Sequence, residues 1–316
     1  MSTADAKPQR LTARLLRGMP LPDPDGGKEQ RGRVLVIGGS GRVPGAALLA
    51  ATGALRAGAG KLQVATAQDV AVPFAVAMPE ALVLGLPVGA QGDITRGSAA
   101  LDQALDGCDA ALIGSGMTPS PATAALLQRV IRRAQGMLVI DAGALSPELR
   151  APPGKPFVLT PHAGEMAALC GRGRAQVERE PLALARAFAR RTRSVLVLKG
   201  ATTYVAAPDG RLWVHPDGCH GLGTSGSGDV LAGVIAGLAA RCGDPVQAAL
   251  WGVLVHAQAG RALEASVGSL GFLAREIPGH VPAILDRLRP QIRVTATGVR
   301  PQPAGSSTRA SAPVHR

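Results

Sequence analysis

The segment best suited to chemistry is Gly221-Leu-Gly223-Thr-Ser-Gly226-Ser-Gly228-Asp229, which runs straight into the small apolar stretch Val230-Leu-Ala-Gly233-Val-Ile-Ala-Gly237. Glycine lets successive backbone N–H groups turn toward one point, and a helix beginning there adds partial positive charge at the same point. Such an anion hole suits a phosphoryl group in transfer. Asp229, at the start of the helix, can take the proton of a hydroxyl as it attacks phosphorus. The same aspartate could simply cap the helix behind a flexible loop. Four glycines ahead of it and small residues behind it weigh toward chemistry.

Other segments offer complementary groups. In Val195-Leu-Val-Leu-Lys199-Gly200-Ala201-Thr202-Thr203 an apolar run ends in Lys-Gly followed by two hydroxyls. Lysine can meet phosphate charge, glycine allows close approach and threonine can hydrogen-bond; a surface lysine at a strand end is the plainer alternative. In Leu159-Thr160-Pro161-His162-Ala-Gly-Glu165, His162 and Glu165 stand three apart at a loop–helix junction. Glu165 could hold Mg²⁺ through water and His162 could bind a substrate amide or hydroxyl. Equally, the two could form a capping arrangement, with Glu165 in the first turn. Ile113-Gly114-Ser115-Gly116 and Ile140-Asp141-Ala142 also close apolar runs, and Asp141 at such an end can face a ligand or metal. The segment Ile37-Gly38-Gly39-Ser40-Gly41-Arg-Val-Pro44-Gly45-Ala46 resembles a dinucleotide fingerprint but spaces its glycines GxGxxxG. The next apolar run, Lys61-Leu-Gln-Val-Ala-Thr66, ends without the acid that would grip a ribose. No Walker A loop is present either, so the segment reads as a backbone cradle with Pro44 opening a helix.

These segments need a frame that brings them together. Short apolar runs over 34–37, 62–65, 81–84, 110–113, 137–140, 157–159 and 195–198 predict strands, and 203–206 with 212–214 predicts a hairpin around Pro208-Asp209-Gly210. Helical patterns lie at 45–57, 121–134, 164–170, 181–190, 229–241 and 245–265. Alternation of this kind predicts an α/β fold with a mainly parallel sheet covered on both faces. Ligands then bind beyond the carboxyl ends of the strands, which is where the candidate segments fall.

Composition narrows the classes. The chain has 316 residues, 46% hydrophobic but only 2% aromatic, with 41 glycines. Small residues at this density suit close helix-on-sheet packing rather than an all-β sandwich. The formal net charge of +12 comes from scattered arginines, and one Tyr with four Phe is little for base stacking, so nucleic-acid binding is not expected. A basic surface still attracts polyphosphate ligands. Four Cys far apart, without CxxC, predict reduced thiols and a cytoplasmic setting. No leader-like apolar segment opens the chain and no apolar run is long enough to predict a membrane span. Residues 1–30 read as a tail or docking arm, 31–290 as the folded domain, and 291–316 as a disordered basic tail.

Taken together, the segments resemble the ribokinase-like NAD(P)H-hydrate dehydratases, the family that also forms the carboxyl-terminal half of bifunctional NAD(P)H repair enzymes. The resemblance covers about residues 31–285 and rests on IGGSGRVPGAALLAATGALRAGAGKLQVAT, AMPEALV, IGSGM, LVIDAGAL, LTPHAGEM, VLKGATTYVA, GTSGSGDVLAGVIAGL, VHAQAG and GFLAREIP, in order. It implies a ribokinase-like three-layer αβα sandwich. It implies ADP-dependent return of (6S)-hydrated NADH and NADPH to the working cofactors, through phosphorylation of the ring hydroxyl and loss of phosphate, giving AMP. Asp229 would be the base. Ala46, Gly116, His162 and Asp229 would line the hydrated-dinucleotide pocket. Lys199, Gly200, Ala201, Thr202, Thr203, Gly226, Ser227 and Gly228 would hold the nucleotide, ADP or ATP. Glu165 would serve Mg²⁺ through water. A separate epimerase and a homotetramer are further implications. The chain departs from the family pattern at Cys219-His220, Gly143, Val43 and Ala163, which bears on nucleotide preference and affinity. A vitamin-precursor kinase of the same fold, acting on a hydroxymethylpyrimidine or hydroxyethylthiazole, is the alternative. It would release a stable phosphorylated alcohol instead of reduced cofactor. A nucleotide sensor without turnover is a third reading, against which Asp229 argues.

Overall fold

The computed structural model describes residues 7–23 and 27–289. Its strands are β1 (Gln9–Arg10), β2 (Arg33–Ile37), β3 (Lys61–Ala67), β4 (Ala81–Leu86), β5 (Ala110–Ile113), β6 (Met137–Ile140), β7 (Phe157–Leu159), β8 (Val195–Leu198), β9 (Thr203–Ala206) and β10 (Leu212–His215). Its α-helices are α1 (Ala13–Arg17), α2 (Pro44–Arg56), α3 (Gln68–Ala77), α4 (Ala99–Asp106), α5 (Pro121–Arg133), α6 (Ala163–Cys170), α7 (Arg174–Arg179), α8 (Pro181–Thr192), α9 (Ser227–Cys242), α10 (Pro245–Ser266) and α11 (Ile277–Leu288). Among the described residues the strands form one sheet in the order β1-β10-β9-β8-β7-β6-β5-β2-β3-β4. Pairing is parallel except where β9 runs antiparallel to β8 and to β10. The expected three-layer αβα sandwich is what forms.

The pleat explains why the strands read as unbroken apolar runs. Along β2, Val34 and Val36 join one core and Leu35 and Ile37 the other. The first core is closed by α2, α9, α10 and α11; the second by α4, α5, α6 and α8. Helices α2 and α9 meet at backbone distance. A Cβ on Gly233 would lie 1.9 Å from the Ala50 carbonyl oxygen, and one on Gly237 2.4 Å from that of Ala54. The small-residue stretch after Asp229 is therefore the surface by which α9 seats against α2, and that seat fixes where the start of α9 points.

The amino-terminal segment docks rather than hanging free. β1 adds to the sheet beside β10, and Leu11, Leu16 and Leu21 are buried. The Trp251 indole N–H donates to the Met19 carbonyl at 2.8 Å. Gln247 donates to the Met19 and Pro20 carbonyls at 2.9 Å. Helices α1, α3, α4, α7 and α11 had not been expected; α3 carries Pro73 inside it and an exposed apolar surface (Val72, Val76), so it shows no clear amphipathic period. The basic tail over 291–316 lies outside the described residues, as do 1–6, 24–26 and 290. No helix among the described residues is long and apolar enough to cross a membrane.

Because Gly233 has no room for a side chain, Gly233→Val should cost about 3 kcal/mol or more, the upper range for overpacking. Gly279→Ala, in open space on α11, should instead gain up to about 1 kcal/mol of helix propensity. Urea midpoints of the two variants check this; equal midpoints would refute the backbone seat.

Candidate active site

Five parallel strands deliver their following residues to one edge of the sheet. Gly38 and Gly39 follow β2, Gly114–Gly116 follow β5, Asp141 follows β6, Thr160 follows β7 and Lys199 follows β8. The loops after β7 and β8 are tied by a parallel bridge between His162 and Lys199, with the Lys199 N–H donating to the Pro161 carbonyl at 2.8 Å. The start of α9 stands over this row.

Asp141 is the buried centre, 2% exposed. Its Oδ1 accepts from the Thr160 hydroxyl at 2.7 Å and from the Lys199 ammonium at 2.9 Å. Glu165 Oε2 lies 3.9 Å from the same ammonium. Burial pulls the Lys199 pKa down, but Asp141, then Glu165 and Asp229, outweigh it, so the net shift is upward. Asp229 sits beside this group. Burial pushes its pKa up to about 6, the negative charge of Asp141 pushes the same way, and Ser115 and Lys199 only partly offset them. The Ser115 hydroxyl is buried and makes no well-formed hydrogen bond, yet it lies near enough to the Asp229 carboxylate to hold it down. A carboxylate with a pKa near 6 is suited to act as a base at neutral pH.

The helix starts show which alternative each acid takes. α6 begins with a capping box: His162 Nδ1 accepts from the Gly164 and Glu165 amides at 3.0 and 3.1 Å, and Glu165 Oε2 accepts from the His162 amide at 2.7 Å. The capping role of this pair is therefore real. Asp229, by contrast, does not cap α9. Gly226 is the N-cap with φ 88°, a left-handed conformation that favours glycine, and Asp229 is the third residue of the helix. The first turn is held from below by His256, whose Nε2 lies 3.0 Å from the Ser227 carbonyl oxygen. A carbonyl can only accept, so Nε2 carries the proton. Burial lowers the His256 pKa to about 4, so the ring is neutral.

A cavity of about 510 Å³ opens beside this row, within the size range of small-molecule sites. It is lined by Lys199, Gly200, Ala201, Thr203, Ser227 and Gly228, with His162 at its rim. Gly228 leaves room for the lysine: a Cβ there would lie 3.2 Å from Lys199 Nζ. Thr202 and Gly226 belong to the same loops but do not line the cavity, nor does Asp229, whose carboxylate faces Asp141 and Ser115 instead. Ala46 and Gly116 pack against each other away from it, between the loops after β2 and β5: a Cβ on Gly116 would lie 2.9 Å from that of Ala46. His162 thus sits on the Lys199 side rather than with Ala46 and Gly116. Cys219, His220, His256 and His215 also line the cavity. Asp141 was legible as a strand-end acid. Ser115 lay in a strand-end segment that the sequence marked, but its place beside Asp229 was not legible; His215 carried no sequence signal. Among the described residues no three His, Cys, Asp or Glu side chains converge to hold a metal ion by themselves.

A parallel αβα sandwich with a glycine-turned helix start facing a lysine and a perturbed aspartate defines a ribokinase-like protein. The fold likeness extends to ribokinase of Arabidopsis thaliana, at a TM-score of 0.52 and 10% identity over 81% of this chain and 98% of that one. The chain belongs to the NAD(P)H-hydrate dehydratase family, whose model matches residues 34–282. It is 64% identical to the ADP-dependent (S)-NAD(P)H-hydrate dehydratase of Xanthomonas campestris over 88% of this chain and 96% of that protein. It is 38% identical to a bifunctional NAD(P)H-hydrate repair enzyme of Moorella thermoacetica over 92% of this chain, and spans 56% of that protein's length. The structure of the Bacillus subtilis ADP/ATP-dependent NAD(P)H-hydrate dehydratase, co-crystallised with ATP/Mg²⁺, matches at a TM-score of 0.78 and 28% identity, over 90% of this chain and all of that one.

Two outcomes follow, one from the charge on Asp229 and one from the backbone at Ala142. The folded-state pKa of Asp229, about 6 against an ordinary 3.8, favours the protonated form. Its contribution to stability is present below pH 4 and is lost as pH rises through 6. Asp229→Asn should therefore stabilise the fold increasingly between pH 4 and 7, by at most about 3 kcal/mol. Urea midpoints at pH 4 and 7.5 check it; a gain that does not grow with pH would refute the raised pKa. Ala142, next to Asp141, sits at φ 44°. Ala142→Gly should relieve about 1 kcal/mol of left-handed strain, visible as a higher urea midpoint.

Proposed function

We propose that this chain repairs hydrated NADH and NADPH by an ADP-dependent dehydration. The observation that carries the reading is the raised, half-buried Asp229 beside Lys199 and the glycine-turned start of α9. The ring hydroxyl of the (6S)-hydrate lies against Asp229, between the Ala46–Gly116 wall and His162. The phosphates of ADP lie along Lys199, Gly200–Thr203 and the α9 amides, where lysine and helix start both favour negative charge. Asp229 takes the hydroxyl proton as the oxygen attacks the terminal phosphorus, and AMP departs. The ring nitrogen's lone pair then expels phosphate from the carbon it adjoins. Loss of a proton from the neighbouring carbon restores the ring double bond. The atoms close: hydrate and ADP give reduced cofactor, AMP and phosphate.

Three carboxylates, Asp141, Glu165 and Asp229, surround the single ammonium of Lys199. That excess of negative charge fits a divalent cation arriving on the nucleotide, since Mg²⁺ binds through one or two carboxylates together with phosphates. Glu165 would hold it through water, using the oxygen left over from the capping box. The ion would neutralise charge developing on the phosphates. The (S)-hydrate specificity and the ADP dependence follow the names of the relatives, and the separate epimerase, the cytoplasmic setting and the homotetramer stand with them as part of the proposal.

The kinase alternative shares Asp229 and the anion hole, so the product separates the two. Purified protein given hydrated NADH and ADP should return the NADH absorbance with free phosphate; a stable phosphate ester would indicate the kinase. Asp229→Asn should lower turnover at least about 10³-fold while leaving ADP binding within about threefold, as expected for a base removed without loss of shape. Lys199→Met should raise the KM for ADP well above any change for the hydrate. Near-native turnover in the first variant, or equal losses for both ligands in the second, would overturn the assignment.

A further inference from the structure

The docked amino-terminal segment closes a second hollow, of about 670 Å³, which shares only the His215 ring with the cavity beside Lys199. Four elements each bring an arginine to it. Arg10 comes from β1. Ala13 and Arg17 lie one turn apart on the same face of α1, and Leu254, Gln258 and Arg261 share a face of α10. Arg287 stands in the last turn of α11. Against these four charges the lining holds one carboxylate, Asp217. Its Oδ2 accepts from Arg10 Nη2 at 2.9 Å, and its Oδ1 lies 3.8 Å from Arg261 Nη2. Arg287 donates at 2.9 Å to the side-chain oxygen of Gln258, which is neutral. Arg17 has no hydrogen-bond or ion-pair partner among the described residues. Positive charge thus stands well in excess around one concave site, where like charges repel one another and draw anions in. The floor between them is apolar, with Leu11, Leu254 and Leu288. Charges over such a floor are screened less than on an open face. The guanidinium groups are accessible, since the Arg10 and Arg261 side chains are 62% and 52% exposed.

We propose that this hollow is a second anion site, built for a small ligand that carries phosphoryl groups, a diphosphate or a phosphate ester. It goes beyond the dehydratase reading and does not depend on how the Lys199 cavity is used. A monoanion would leave most of the excess charge in place, so the ligand must carry two or more negative charges. The geometry favours phosphoryl over carboxylate. Guanidinium forks arriving from three helices and a strand meet a tetrahedral group, whose oxygens point in several directions, better than they meet a flat one.

Calorimetric titration of the full chain with pyrophosphate is the test. It compares the wild type, Arg17→Gln/Arg287→Gln, Lys199→Met and Arg132→Gln/Arg172→Gln, the last of which removes the same charge from exposed positions elsewhere. The wild type should bind two equivalents, one at Lys199 and one at the hollow. Arg17→Gln/Arg287→Gln should keep the first and weaken the second at least about tenfold, through lost charge-assisted hydrogen bonds. The distant pair should change neither by more than about twofold. Lys199→Met should keep the equivalent in the hollow; should that variant fail to fold, the two arginine pairs alone decide. Citrate should bind the hollow at least about tenfold more weakly than pyrophosphate. A wild type that binds nothing, an Arg17/Arg287 pair that binds as the distant pair does, or a single equivalent that Lys199→Met removes would overturn the proposal. Citrate as tight as pyrophosphate would overturn the phosphoryl assignment. A single equivalent that only the Arg17/Arg287 pair removes would uphold the hollow and count against Lys199 as a phosphate contact.

Discussion

The buried carboxylate of Asp141 holds the site together. One of its oxygens accepts both the Thr160 hydroxyl and the Lys199 ammonium. Those three residues follow β6, β7 and β8, so a single acceptor atom gathers three strand ends. The arrangement is demanding: removing one member of a buried ion pair costs about 3–5 kcal/mol, because the other charge is left uncompensated. It also sets the chemistry. Lys199 is held by Asp141 and Glu165 rather than left to solvent, which keeps its charge beside the helix start where phosphate would arrive. Asp229, set close to Asp141 in a poorly solvated place, is pushed the other way and becomes a base. The two acids thus take different tasks: Asp141 is the fixed partner of Lys199, while burial and the charge of Asp141 raise the pKa of Asp229.

Much of the frame was legible in the sequence because the central strands are buried on both faces. The runs at 110–113, 137–140, 157–159 and 195–198 match the observed β5, β6, β7 and β8. Legibility fades toward the edges. β1 is two residues long and gains its identity only by pairing with β10, more than 200 residues away. α3 and α11 carry prolines inside them and escape a pattern search. At the site, the glycine run, Asp229 and Lys199 stood out by type and spacing. The Asp141–Lys199 pair did not, since nothing local joins residues 58 apart. His256 braces Ser227 and also lines the cavity, neither of which its sequence neighbours show.

What sequence reading treats as loose loops is in fact the most constrained part of the molecule. The turns after β5 and β6 cross at backbone contact. A Cβ on Gly114 would lie 1.8 Å from the Asp141 carbonyl oxygen, and one on Gly143 2.2 Å from that of Met117. Neighbouring parallel strands are only about 4.8 Å apart, so loops leaving them on the same side can interlock only where side chains are absent. This gives the departure at Gly143 a physical reading. Gly143 has no space for any side chain, and the strain of the turn falls on Ala142 next to it. Asp141 is the acid of this loop that holds Lys199, and its negative charge is a main reason that the pKa of Asp229 is raised.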